Sequence, residues 1–265
     1  MKSTVLERLE SLLESRKLDR TLISRETPGI QASPTISTGI EPLDSRLGGG
    51  WRQGEVSEIV GSRSSSRTSL LVATLAAATS RGALVGLVDT FDRFDPLTSA
   101  QAGLDLDCLL WVRGPSLTLE GLRPHRSTGS RCSEARVSRP EAYPDRAVHQ
   151  AIRALDLIVR AGGFAVAALD LADVPPVHLR GLPFTTWMRL AHANEGRETV
   201  CLLVGDADMG KSARGASVRL ESVKRWTGRS GQSRRFGGFD IRARIVSART
   251  IGTGQSTPYV LLSCP

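Results

Sequence analysis

The feature that most constrains the fold of this chain is a strand–loop–helix pattern over Val56–Ser69. An apolar run, Val56–Val60, leads into a turn of glycine, serine and arginine. A helix rich in alanine and leucine is predicted from Thr68 to about Ser80. This is the layout of a phosphate-binding loop, in which successive backbone N–H groups and the N-terminus of a helix converge on an anion.

The loop departs from the phosphate-loop motif G-x-x-x-x-G-K-[ST] at two positions. Gly61 and Thr68 match, whereas Ser66 replaces the second glycine and Arg67 replaces the lysine. Arginine keeps the charge, but its planar guanidinium suits a pocket shaped for an ammonium group poorly. Ser66 adds a side chain where backbone must come close to phosphate. Arg63, Arg67 and the helix N-terminus could still hold a phosphate or sulfate.

The segments around the loop predict an α/β fold. Ala83–Asp89 is an apolar run short enough for a buried parallel strand, so strand, loop, helix and strand form a βαβ unit. Phe164–Leu169 and Thr199–Val204 predict further buried strands. We expect a largely parallel central sheet flanked by helices. Ligands gather at the carboxyl ends of such strands, where three residues are predicted to lie: Gly61, Asp89 and Asp170.

From Ala216 the apolar period changes to two, which predicts an antiparallel C-terminal extension of the sheet. Trp226 and Phe236 are interleaved with basic residues in this region. Cations that hold phosphates beside rings that stack on bases favour a nucleic-acid surface. The alternative is a solvated hairpin whose aromatic side chains fold inward. The basic residues are Lys224, Arg225, Arg229, Arg234, Arg235, Arg242 and Arg244.

Residues 1–34 are predicted to form an N-terminal helix and linker, and residues 35–265 a core domain. Thr4 to about Arg20 has amphipathic helical spacing, and Thr4 and Glu7 form a capping box. Residues 114–145, rich in proline, serine and arginine, predict a flexible insertion, either a partner or nucleic-acid arm or a tolerated surface loop. The helix could dock on its own core or bind a partner through an apolar stripe: Val5, Leu9, Leu12 and Leu13.

The composition of the chain limits which binding partners and which cellular compartment we expect. The net charge of +8 favours a polyanionic partner such as nucleic acid, although a basic surface could serve solubility alone. No apolar run is long enough to cross a bilayer, so we expect a cytoplasmic protein without a membrane partner. The cysteines lack metal-ligand spacing, and no metal site is expected: Cys108, Cys132, Cys201 and Cys264.

The run Ile36–Leu110 resembles the ATPase core of the RecA recombinase family in motif order and spacing. The likeness rests on Ser37-Thr38-Gly39, Leu47-Gly48-Gly49-Gly50 and Phe94-Asp95-Pro96, and it resumes at Leu169-Asp170, Leu202-Leu203-Val204 and Ala216-Ser217-Val218-Arg219-Leu220. The resemblance implies that Asp170 has the position of the carboxylate that orients the water shell of magnesium, that Asp95 could read adenine, and that the N-terminal helix could mediate self-association. The resulting vestigial nucleotide or phosphate site comprises Gly61, Arg63, Ser65, Ser66, Arg67, Thr68, Ser69, Asp95 and Asp170.

Several requirements of ATP turnover in that family are not met. Its catalytic glutamate follows the strand-end aspartate by two residues, where this chain has Phe91, and a phenyl ring cannot accept a proton. Thr98 stands where an aromatic ring should stack on the base, and Asp206 lies near the position of an amide that senses the γ-phosphate. Together with Ser66 and Arg67, these changes predict a core without catalytic residues. No cofactor is required, while weak binding of ATP and magnesium stays open.

Within this superfamily, the altered loop and the run Leu110-Trp111-Val112-Arg113 resemble the ImuA-like group of mutagenesis accessory proteins. The likeness implies a role in the SOS response to DNA damage. Such a protein supports error-prone translesion synthesis by binding polymerase subunits, including an inactive Y-family homologue, and it could contact DNA. Two alternatives stay open. One is an active DNA-dependent ATPase or recombinase paralogue, and the other is a RecA-like regulator such as a cell-division inhibitor.

Overall fold

The structure is a computed structural model that describes residues 34–115, 142–209, 215–228, 235–247 and 260–263. Two of the predicted features fall outside these ranges, namely the N-terminal helix and most of the predicted insertion. The predicted residues outside them are Val5, Leu9, Leu12, Leu13, Arg229 and Arg234.

The secondary structure of the described residues alternates strands with helices. The strands are β1 (Thr35–Ile36), β2 (Trp51–Arg52), β3 (Val56–Gly61), β4 (Val85–Asp89), β5 (Leu109–Arg113), β6 (Val166–Asp170), β7 (Val200–Gly205), β8 (Ser217–Thr227), β9 (Arg235–Ser247) and β10 (Val260–Ser263). The helices are α1 (Glu41–Leu47), α2 (Arg67–Thr79), α3 (Pro96–Gln101), α4 (Ala142–Ala161), α5 (Pro176–Arg180) and α6 (Phe184–Asn194).

The main sheet has the strand order β10-β9-β8-β3-β7-β6-β4-β5 within the described residues. Strands β3 to β8 of this sheet run parallel to one another, whereas β9 pairs antiparallel with both β8 and β10. A separate antiparallel pair joins β1 to β2. The prediction of an α/β fold with a largely parallel sheet and an antiparallel C-terminal extension is confirmed. The strand order also brings the carboxyl ends of β3, β7, β6 and β4 side by side.

Both faces of the central strands are buried. Successive residues of a strand point to opposite faces, and consecutive residues of these strands belong to two different apolar clusters. In β6, Val166 and Ala168 belong to one apolar cluster, and Ala167 and Leu169 belong to the other. Helix α2 contributes to the first cluster, while α4 and α6 contribute to the second. Burial on both faces explains why these strands are continuous apolar runs in the sequence.

Two helices on the second apolar cluster differ in how they relate to the sequence pattern. Helix α4 begins at Ala142, within the range 114–145 that the sequence assigns to the predicted insertion. Pro144 is compatible with this start, since N–H groups in the first turn of a helix have no partner within the helix. In α6, Trp187 is buried, but Phe184 and Met188 are 53% and 45% exposed. The face of α6 that packs against α4 is therefore centred on Trp187.

None of the helices in the described part of the chain is both long enough and apolar enough to span a membrane.

Candidate functional site

The candidate site lies where four parallel strands end. Gly61, Asp89 and Asp170 close β3, β4 and β6, as the sequence predicts, and Asp89 and Asp170 are direct neighbours in the sheet register. Gly61 leads into the loop before α2, whose first residue is Arg67. The loop and the two carboxylates therefore lie together at the carboxyl ends of the parallel strands, as a βαβ unit requires.

The loop has two glycine-like backbone conformations, although serine stands where the motif has its second glycine. Ser66, at the position of that glycine, is the residue before α2 and has φ of 68°, and Ser64 has φ of 65°. A left-handed conformation costs a residue with a side chain about 1–2 kcal/mol. Ser65 is fully buried, and its hydroxyl has no hydrogen-bond partner within the described residues. Thr68 and Ser69 are exposed in the first turn of α2.

The side chain of Arg67 is turned into the protein. Only 7% of this side chain is exposed. Its Nη1 donates to the backbone carbonyl of Gly61 and also contacts the carboxylate of Asp206. Its Nη2 lies 3.3 Å from Oδ1 of Asp173. The planar fork of arginine thus binds three acceptors, two of them charged, at the end of the sheet.

Asp173, in the loop after β6, is the centre of this ion network. Its carboxylate binds Arg63 Nη2 at 3.2 Å, Arg67 Nη2 at 3.3 Å and also Arg93 Nη1. Its backbone N–H donates to Asp206 Oδ1 over 3.4 Å. Burial tends to raise the pKa of Asp173, but the hydrogen bond from Arg63 and the charges of Arg93, Arg63 and Arg67 hold that pKa below its ordinary value.

Sequence reasoning missed Arg93 and Asp173, and it treated Asp206 only as a replaced sensor. These residues follow β4, β6 and β7, so they come from three separate loops. The only sequence signal that could have indicated them is their position just after buried strands, which many unrelated residues share.

Asp170 is the carboxyl group in the site with the largest described pKa shift. Although the residue keeps some exposure, burial of its carboxyl raises the pKa to about 6. The backbone N–H of Ala172 donates to Asp170 Oδ1 at 2.8 Å and opposes this increase, whereas the charge of Asp89 adds to it. Asp89 accepts the backbone N–H of Phe94 at 2.8 Å. The neighbouring strand-end carboxylate therefore disfavours the charged form of Asp170.

Asp95 serves as the N-cap of α3. Its carboxylate accepts the backbone N–H groups of Leu97 at 3.0 Å and Thr98 at 3.3 Å, and it also accepts the Thr98 hydroxyl. The hydrogen bonds from the side chain and backbone of Thr98 hold the pKa of Asp95 below its ordinary value. A carboxylate in these contacts is turned to its own helix, which leaves the predicted adenine contact unsupported.

A magnesium nucleotide fits these residues poorly. The cation at the lysine position is bound to internal carboxylates, and Asp95 caps a helix. Phe91, which the resemblance to the RecA family puts at the position of the general base, is 3% exposed and belongs to the apolar core. A nucleotide would have to displace the ion network before its phosphates could reach Arg67.

The β8–β9 hairpin carries the predicted nucleic-acid surface. Trp226 and Phe236 are 48% and 52% exposed, so they do not fold inward as the alternative required. Their rings meet edge to face, with centroids 5.8 Å apart. Arg225 donates to the Gly237 carbonyl at 3.0 and 3.1 Å and lies 3.7 Å from Asp240. The exposed residues among the predicted contacts are Lys224, Arg225, Arg235 and Arg242, while Arg244 is half-buried.

Comparison with known proteins points to the RecA proteins. Residues 21–119 match the family model of the RecA N-terminal domain. The chain is 42% identical to the protein RecA of Synechococcus sp. (strain CC9605) over 76 residues, which are 29% of this chain and 20% of that protein. It is 32% identical to the protein RecA of Chlorobaculum parvum over 149 residues, which are 55% of this chain and 34% of that protein.

The chain therefore spans between a fifth and about a third of the length of these curated relatives. The matches and the strand topology together support a RecA-like superfamily for the core.

Proposed function

We propose that this chain is a RecA-like accessory protein that does not turn over ATP and that supports error-prone translesion synthesis after DNA damage. The observation that carries the proposal is the binding of Arg67 to Asp173 and Asp206, which turns the cation of the loop away from any phosphate. The mutagenesis role comes from the resemblance of the altered loop and residues 110–113 to the ImuA-like group. Polymerase subunits are the partners that this resemblance implies.

Hydrolysis of ATP would need a cation at the β- and γ-phosphates and a base that orients water. Arg67 is held by carboxylates, and the base position is occupied by the buried Phe91. Losing either function typically costs two or more orders of magnitude in rate. The chain therefore acts as a binding protein through its surfaces. The candidate contacts are the predicted N-terminal stripe for polymerase subunits or self-association, and the β8–β9 hairpin for DNA.

Replacing Asp170 by asparagine should leave damage-induced mutagenesis unchanged. In an active RecA-like ATPase this carboxylate would orient the water shell of magnesium, so its loss would abolish function. In an accessory protein without turnover, the carboxylate is dispensable. The measurement is mutation frequency after ultraviolet irradiation in a deletion strain complemented with the wild type or with Asp170→Asn. Purified wild type should show no ATP turnover above background, with or without single-stranded DNA.

Turnover that depends on single-stranded DNA and that is lost in Asp170→Asn would establish the ATPase alternative instead. The empty deletion strain is the control for mutagenesis, and it must show a reduced frequency. A pull-down from irradiated cells separates the third candidate, a RecA-like regulator. Polymerase subunits should be recovered with the wild type, and their absence from the recovered proteins would contradict the mutagenesis role.

We also propose that the β8–β9 hairpin binds single-stranded DNA. Lys224 and Arg235 are exposed and lie within two residues of Trp226 and Phe236 along the strands, so the hairpin combines cations for phosphates with rings for bases. The double variant Lys224→Ala/Arg235→Ala should weaken binding about tenfold or more at low salt and should reduce the slope of log affinity against log salt by about 1.4. Fluorescence anisotropy with labelled oligonucleotides over a salt series measures both quantities.

The matched control for this charge loss is Arg81→Ala/Arg153→Ala. Both residues are exposed, after α2 and in α4 respectively, and the variant removes the same two charges. An equal loss of affinity in both double variants would mean that net charge, and not the hairpin, accounts for DNA binding.

A further inference from the structure

We propose that Asp173 is an internal ligand of the phosphate-type loop, whose carboxylate closes an anion site formed by Arg63, Arg67 and Arg93. The inference deepens the proposed function, because it names the contact that keeps phosphate out of the loop. The ligand that this contact excludes is a phosphate oxyanion, either inorganic or the terminal group of a nucleotide.

The first step is the convergence of three cations on one carboxylate. Arg63 lies in the loop after β3, Arg67 is the first residue of α2, and Arg93 lies in the loop after β4. All three guanidinium groups bind the Asp173 carboxylate. Each guanidinium contributes one nitrogen to this contact, and arginine N–H groups bind carboxylate and phosphate oxygens alike. The arrangement is therefore what a bound phosphate oxyanion would require, with a side-chain carboxylate in its place.

The second step is that the backbone of Asp173 is held in a position where its carboxylate contacts the three arginines. Its φ of 63° lies in the left-handed region, and its backbone N–H donates to Asp206 over 3.4 Å. Its side chain is 18% exposed, against 74% for Arg63 and 34% for Arg93. Bulk water therefore reaches the two outer cations, and an anion from solution could reach them as well.

The third step is the charge of the cluster. Asp173 and Asp206 offset two of the three positive charges, and Arg67 contacts both of these carboxylates as well as the Gly61 carbonyl. Replacing both acids by asparagine would leave three cations beside the N-terminus of α2, which itself favours an anion. The buried Ser65 hydroxyl, which lacks a partner within the described residues, belongs to the same loop.

The test measures binding of pyrophosphate, ATP and adenosine to the full chain by titration calorimetry. The double variant Asp173→Asn/Asp206→Asn should bind pyrophosphate at least about tenfold more tightly than the wild type. Similar gains for pyrophosphate and ATP would show that the phosphate oxyanion is sufficient. A gain for ATP alone would show that the opened site takes a nucleotide, and either result supports the proposal. Adenosine should show no gain.

The matched control is Asp92→Asn. Asp92 also has a left-handed backbone, with φ of 56°, and its carboxylate binds Arg113 at 2.8 Å. This variant also frees one arginine, but outside the loop, so it should gain no pyrophosphate affinity. The control removes one negative charge, as Asp173→Asn alone does, so a gain in the control equal to that of Asp173→Asn would reflect net charge and overturn the proposal.

A second variant keeps the test decisive if the double variant does not fold. Asp173→Asn alone retains the side-chain shape, and asparagine tolerates a left-handed backbone. It should bind pyrophosphate at least about threefold more tightly than the wild type. A folded variant that gains no affinity, beside a wild type that binds neither pyrophosphate nor ATP measurably, overturns the inference but leaves the proposed function standing. Wild type that binds ATP as tightly as the variants would instead contradict the closed loop on which the proposed function depends.

Discussion

Replacing Arg67 by methionine is expected to lower the free energy of unfolding by about 2 kcal/mol, because hydrogen bonds to charged groups contribute about 1.5–3 kcal/mol and Asp206 is 39% exposed. Methionine fills much of the volume but leaves the Gly61 carbonyl and the Asp206 carboxylate without the guanidinium. The loss stays at the lower end because Asp173 keeps Arg63 and Arg93. Urea denaturation at pH 7.5 measures the change.

Arg63→Met is the matched control, because Arg63 binds the same carboxylate but is 74% exposed. It should cost less than about 1 kcal/mol, as surface ion pairs do. Arg67→Lys restores the lysine of the phosphate-loop motif, yet it should also destabilise the fold, by about 1–2 kcal/mol, since one ammonium group cannot replace the arginine fork. Arg67→Met with wild-type stability would mean that the guanidinium points to solvent.

Replacing Asp170 by asparagine is expected to raise the free energy of unfolding by about 2–3 kcal/mol at pH 7.5. Burial raises the pKa of this carboxyl from 3.8 to about 6, so its charge destabilises the folded state. The asparagine amide oxygen can still accept the Ala172 N–H, and the amide carries no charge. Denaturation at several pH values measures the gain.

The sign of the pH dependence follows from the direction of this shift. Between about pH 4 and pH 6 the folded wild type binds more protons at Asp170 than the unfolded chain does, so this group lowers stability as pH rises through that window. The advantage of Asp170→Asn should be small at pH 4 and complete above pH 7. A gain that is equal at pH 4 and pH 7.5 would contradict the raised pKa.

The two variants test separate parts of the site. Arg67 reports on the ion network with Asp173 and Asp206, while Asp170 reports on the cost of burying a strand-end carboxylate beside Asp89. A bound magnesium ion would reverse the effect at Asp170, because it would stabilise the charged carboxylate. Repeating the Asp170 comparison with ATP and magnesium therefore distinguishes a nucleotide site from a structural remnant.

Local patterns in the sequence were sufficient to predict the sheet, the loop and the positions of the strand ends. Continuous apolar runs predict strands buried on both faces, and alternation from Ala216 onwards predicts the antiparallel extension. Both patterns are local, since they depend on the period of the backbone. For the same reason, the residue order alone predicted that Gly61, Asp89 and Asp170 lie at one edge.

What the loop binds, in contrast, depends on contacts between distant parts of the chain. Arg67 differs from the motif lysine by one residue type, and from that difference alone it could still hold a phosphate. Its partners, Asp173 and Asp206, follow two other strands and meet Arg67 only because β6 and β7 lie between β3 and β4. Ion pairs between distant loops leave no period in the sequence. Their geometry depends on strand order and side-chain burial, which are properties of the folded chain.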